Sequence, residues 1–192
     1  MTTHDAHKGA PIEARLGIWA FLATELLLFG GLFTAYLVFR LEYPELFHRE
    51  HLRLSRVLGT LNTVLLLTSS LTMATGIAAI RHGRQRTLQI ALALTLALAA
   101  GFLGIKYVEW SEDFSHGLFP SSNLFFGLYF VMTGLHGLHV ILGMTVMVWL
   151  LWRARRGDFS AEYNTPVEVT GLYWHFVDLV WIYLFPLLYL IG

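Results

Sequence analysis

The hydrophobic positions of this chain gather into five long runs, residues 17–39, 58–80, 88–107, 124–151 and 172–191, with most of the charge held between them. A helix rises ~1.5 Å per residue, so about 20 apolar residues cross a ~30 Å hydrocarbon core. Each run has that length, and the fourth has enough to cross at a tilt. The pattern predicts an all-α integral membrane protein with five transmembrane helices in one bundle, a single domain over residues 1–192 without internal repeat. The longest connections, 40–57 and 152–171, carry charge and the turn formers Pro44, Gly157, Asn164 and Pro166.

Composition agrees with that reading. At 56% hydrophobic and 14% charged over 192 residues, the chain is too apolar to cover itself as a soluble domain. Its 13 basic and 13 acidic residues balance, so no nucleic-acid partner is indicated. With no cysteine there is no disulfide, thiolate metal site or nucleophilic thiol. The polar first fifteen residues run into the first apolar stretch with no small-residue cleavage pattern after it, and no removable signal peptide is expected. Lys8, Arg15, Arg81, Arg84, Arg86, Arg153, Arg155 and Arg156 fall on one side of the membrane, and Arg40, Arg49, Arg53 and Arg56 on the other. This excess predicts a cytoplasmic N-terminus and a periplasmic C-terminus.

Candidate chemistry lies in the polar residues inside the runs. Glu25 sits ~12 Å of rise into the first, where an ionised carboxylate is costly. It is either a proton-handling or gating carboxyl, or a neutral acid holding two helices together. Thr68, Thr72, Thr75 and Gly76 form a small, hydroxylated stripe assigned to helix packing. Lys106 and Glu109, three residues apart near the outer end of the third run, are expected to pair, with Tyr107 and Trp110 as interfacial anchors. The following loop, 111–123, contains Glu112, Asp113 and His116 and reads as solvated, with a cation site as the alternative. In the fourth run His136 and His139 point within ~60° of each other and are expected to face one neighbour, over Gly134, Gly137 and Gly143. A common face cannot supply the two sides of one haem. A metal site from His136, His139, Glu25 and Asp178 lacks the paired Glu-x-x-His segments of a di-iron bundle, so no metal is assigned. His175 and Asp178 share a face of the last run, at the depth of Glu25 and His139. Glu25, His136, His139, His175 and Asp178 are therefore read as one cluster, either polar groups that hold the helices together or a proton-linked set. Pro186 is expected to kink the final turns, with Tyr183 and Tyr189 as further anchors.

Four stretches carry a resemblance: WAFLATELLLFGGLFTAY around Glu25, IKYVEW, TGLHGLHVILG and YWHFVDLVWIYLFPLLY. Together they resemble subunit III of the haem-copper oxygen reductases in the short five-helix bacterial form, over residues 15–192. The resemblance implies a non-catalytic subunit in a multi-pass bacterial inner membrane setting. It would have no cofactor of its own, would pack against the haem-copper subunit I and the other oxidase subunits, and would bind phospholipid. Haem and copper would lie in those partners. It further implies a role in stabilising subunit I and sustaining proton uptake. Glu25 matches the buried carbodiimide-reactive carboxylate of the family, and His136, His139, His175 and Asp178 match its polar positions. The two extra N-terminal helices of longer members are missing, so their V-shaped lipid cleft is not carried over whole. Alternatives are a quinol oxidase subunit III, a nitric oxide reductase-associated relative and, from another class, a proton-coupled transporter. The transporter lacks an inverted repeat and broken-helix pairs.

Overall fold

A computed structural model describes residues 6–191, with side chains from Leu16 onward. Of the charges used for topology, Lys8 and Arg15 lie outside the described side chains. The chain is helical nearly throughout: α1 (Ala6–Glu42), α2 (Pro44–His51), α3 (Arg56–Arg81), α4 (Gln85–Ser115), α5 (Leu124–Arg155) and α6 (Thr165–Phe185), closing in a π-helical turn (Pro186–Leu190). Five helices are long and apolar enough to cross a membrane: Leu16–Glu42, Arg56–Arg81, Gln85–Ser115, Leu124–Arg155 and Thr165–Leu190.

These spans extend beyond the apolar runs because helix continues after hydrophobicity stops. α4 runs from Gln85 through the polar segment to Ser115, and α6 starts at Thr165 with Pro166 in its first turn. Proline fits there because the first-turn N–H groups have no intrahelical acceptor. α2 is an element the hydropathy does not reveal. It opens on Pro44 and buries Phe47, whose ring meets Tyr36 at 5.1 Å and Phe125 at 5.6 Å.

α3 and α4 pack most closely, joined by the turn at Gly83, whose φ of 69° suits a residue without Cβ. α6 lies against α3 and α5, α5 also against α4, and α1 sits at the periphery, mainly on α6. Thr72 and Thr95 hydroxyls lie 2.7 Å apart across the α3–α4 seam, and Gly76 faces Ala91. Thr68 and Thr75 instead bond their own backbone and are exposed. At Gly143 a Cβ would stand 2.9 Å from the Trp174 ring, so glycine lets α6 seat its indole against α5. Trp174 Nε1 donates to Ser69 Oγ and Trp181 Nε1 to Thr63 Oγ1, both at 3.0 Å, tying α6 to α3 with otherwise buried donors.

Pro186 does more than kink. Lacking an N–H, it ends the α-helical ladder at Phe185, and the wider π turn follows. Tyr183 is 59% exposed, as an anchor would be, but Tyr189 is fully buried. The expected interfacial role of Tyr189 is therefore corrected: the π turn swings its ring into the bundle.

Candidate functional site

The polar residues of the spans form separate arrangements rather than one cluster. Glu25 of α1 and His139 of α5 make a pair, with His139 Nε2 2.8 Å from Glu25 Oε2. His139 Nδ1 lies 2.8 Å from the Leu135 carbonyl oxygen, which can only accept, so Nδ1 carries a hydrogen. A single proton is then held between Nε2 and the carboxyl: imidazolium with carboxylate, or imidazole with carboxylic acid. Phe29 meets the imidazole edge-on at 5.3 Å, and Tyr173 OH donates to the His139 carbonyl at 3.0 Å. The ring is thus fixed from α1 and from its own helix, while Tyr173 ties α6 to the His139 backbone.

His136 does not share that neighbour. Its ring sits between Phe102 of α4, at 5.5 Å, and Trp181 of α6, at 5.3 Å. It is fully buried, and neither ring nitrogen has a hydrogen-bond partner among the described residues. The expectation that both histidines face one helix fails because α5 is packed by α1, α4 and α6 at once. On such a helix, ~60° of rotation is enough to change the partner.

On α6, His175 Nδ1 lies 2.7 Å from Ser70 Oγ of α3. Asp178 is 3% exposed, stands beside Ser70, and has neither oxygen hydrogen-bonded among the described residues. Of the five side chains expected to cluster, only Glu25 and His139 hydrogen-bond to each other. Depth along a span does not fix the direction a side chain takes around it.

Lys106 and Glu109 are joined at 2.9 Å, and the arrangement is larger than a pair. Lys106 Nζ also donates to Tyr129 OH at 3.2 Å and to Tyr189 OH at 2.8 Å, and Tyr189 OH donates to Glu109 Oε1 at 2.7 Å. The ammonium lies 5.0 Å from the centroid of the Tyr129 ring and 5.4 Å from that of Trp181, which adds cation–π attraction. Three elements, α4, α5 and the π turn, are therefore locked through one cation. The sequence pattern gave no sign of Tyr129 or Ser70, and it placed Tyr189 at the interface instead of in this network. It also placed Asp113 in a solvated loop, whereas Asp113 belongs to α4 and is 7% exposed. The signal was present: Lys106, Glu109 and Asp113 stand at i, i+3 and i+7, one face of a helix. Trp110, expected as an anchor, instead rests on Gly134 and Phe130, while Tyr107 stays exposed.

Among the described residues, no group of three or more His, Cys, Asp or Glu side chains is placed to hold a metal ion. The described spans offer one proton-sharing pair, one buried ion pair and further buried hydrogen bonds, arranged to join helices.

Comparison with known proteins gives this geometry a family. The family model for cytochrome c oxidase subunit III matches residues 2–192. A cytochrome c oxidase subunit 3 from Thermostichus vulcanus is 39% identical over 177 residues, 92% of this chain and 86% of the relative. One from Bacillus sp. strain PS3 is 36% identical over 190 residues, 96% of this chain and 90% of the relative. A probable quinol oxidase subunit 3 from Staphylococcus aureus is 33% identical over 181 residues, covering 93% and 89%. A bundle of five apolar spans with its ionisable groups turned inward, matched along nearly its whole length, belongs to the cytochrome c oxidase subunit III family.

Proposed function

We propose that this chain is the non-catalytic accessory subunit III of a haem-copper terminal oxidase fed by cytochrome c, packed against subunit I in a bacterial plasma membrane. The match to the family over residues 2–192 carries the reading. In it, haem and copper belong to the partner subunits, which do the redox chemistry. This chain contributes a rigid membrane surface and a proton held between Glu25 and His139, 2.8 Å apart. An apolar groove of about 530 Å³ between α4 and α5, lined by Phe102, Leu103, Trp110 and Ile141, has the character of an acyl-chain seat and supports the phospholipid assignment. The excess of arginine at the Arg81–Gln85 turn and the α5 end supports a cytoplasmic N-terminus.

Purification of the tagged chain in mild detergent tests this. The expected product carries a haem-copper subunit, shows haem absorbance and consumes oxygen with reduced cytochrome c. A stable, active homomer free of haem overturns the proposal. The Staphylococcus aureus relative favours a second reading, a quinol oxidase subunit III. Oxygen consumption driven by quinol and not by cytochrome c selects it.

A further inference from the structure

At the end of the bundle that carries the π turn, one ammonium and two carboxylates are buried together on one face of α4. Lys106, Glu109 and Asp113 are 7%, 2% and 7% exposed. An ammonium has three hydrogens, and those of Lys106 go to Glu109 Oε2, Tyr129 OH and Tyr189 OH. Tyr189 OH in turn donates to Glu109 Oε1. Glu109 thus has both oxygens bonded and Lys106 as its counter-charge. Asp113 is less well provided: Tyr129 and Lys106 face its carboxyl, but its Oδ2 is buried without a hydrogen-bond partner among the described residues.

Asp113 lines a cavity of about 220 Å³ whose other walls include Arg53, Glu109, Glu112 and His116. Arg53, Glu112 and His116 are exposed, so the cavity runs from the aqueous surface to two buried carboxylates. It has polar walls and room for several waters. The groups facing Asp113 are Lys106, Glu109, Glu112 and His116 of α4 and its cap, Tyr129 of α5 and Arg53 of the α2–α3 connection. Tyr189 of the π turn stands behind Glu109. Arg53 is drawn to Glu50 Oε2 at 3.1 Å, and Lys106 is committed to Glu109. A second buried carboxylate beside a single, already paired cation is costly unless it gains a positive charge. The described residues provide no metal-holding group there.

We propose that Asp113 exchanges a proton with the aqueous phase through this cavity, the Lys106–Glu109–Tyr129–Tyr189 network forming its buried wall. On release the Asp113 O–H bond breaks, the proton passes to a cavity water and the electron pair stays on the carboxylate; uptake is the reverse. The site lies at the opposite end of the bundle from the Arg81–Gln85 turn. It rests on this chain's geometry, whichever complex the chain serves.

Infrared difference spectra of the purified native complex, recorded over stepped pH in H2O and D2O, test the proposal. The expected result is a protonated-carboxyl C=O band that follows pH, shifts in D2O, disappears in Asp113→Asn and persists in Glu25→Gln and Asp178→Asn. A band of unchanged amplitude in Asp113→Asn overturns it. So does an amplitude that follows sodium or potassium at fixed pH, which marks a cation site instead. If Asp113→Asn does not assemble, the cavity-mouth variants His116→Ala and Arg53→Gln decide. A shifted midpoint in either supports the exchange, and an unmoved midpoint in both overturns it.

Discussion

Glu25→Gln keeps a hydrogen-bonding side chain of the same length opposite His139 and removes the exchangeable carboxyl proton. Assembly should survive, because the amide still bridges α1 and α5. Sustained turnover or proton pumping of the whole complex should fall, measured as the decay of oxygen consumption and as protons moved per electron. Unchanged values in both would reduce the pair to a structural bond. His136 and Lys106 lead to opposite expectations despite similar burial. The His136 ring nitrogens have no hydrogen-bond partner among the described residues. Leucine there should change stability by no more than about 1 kcal/mol, since an unbonded polar group is exchanged for an apolar one. Lys106→Met strands Glu109 and should cost about 3–5 kcal/mol. Thermal unfolding of the complex, followed by subunit loss, distinguishes the two. The Lys106–Glu109 pair was legible because both ends lie on one helix at fixed spacing. Glu25 and His139 were legible as neighbours in depth, but not as an exclusive pair, because that depends on how α1 is seated.

At the level of elements, apolar length located all five spans, and their ends were misjudged wherever a helix continued into polar sequence. Helical hydrogen bonds do not require hydrophobic side chains, and the α4 end through Ser115 shows this. α2 escaped because a short charged segment with one buried aromatic has no hydropathic signature. Pro186 announced a break, but not that the break would turn Tyr189 inward. Pro186→Ala restores the missing donor and lets the α-helical ladder continue, rotating Tyr189 away from Lys106 and Glu109. The expected loss is about 1–3 kcal/mol, the cost of leaving buried partners unsatisfied. Increased Tyr189 solvent exposure, read by hydroxyl-radical footprinting, checks the geometry, and unchanged protection would show that packing alone places the ring.

For the molecule as a whole, the topology is directly testable because the sequence has no cysteine. Single-cysteine variants Glu162→Cys and Ser121→Cys lie on opposite sides of the bundle. A membrane-impermeant maleimide added to intact cells should label Ser121→Cys and leave Glu162→Cys unlabelled until the membrane is opened. The reverse pattern inverts the proposed orientation. The family was legible as a whole because its motifs lie in the spans where helices touch. The arrangement of the polar groups was not, since it follows from the crossing of helices far apart in sequence.

The peripheral seat of α1 has a consequence for how the protein is made. Its main neighbour is α6, Tyr36 OH donates to the Leu187 carbonyl at 3.0 Å, and Arg40 donates to the Ile191 carbonyl. α1 is therefore closed by a turn that lies 151 residues further along the chain. Before that turn is inserted, α1 can be held through Glu25 and His139 but lacks its bonds to the Leu187 and Ile191 carbonyls. Insertion of the π turn is thus the step that completes the seat of α1.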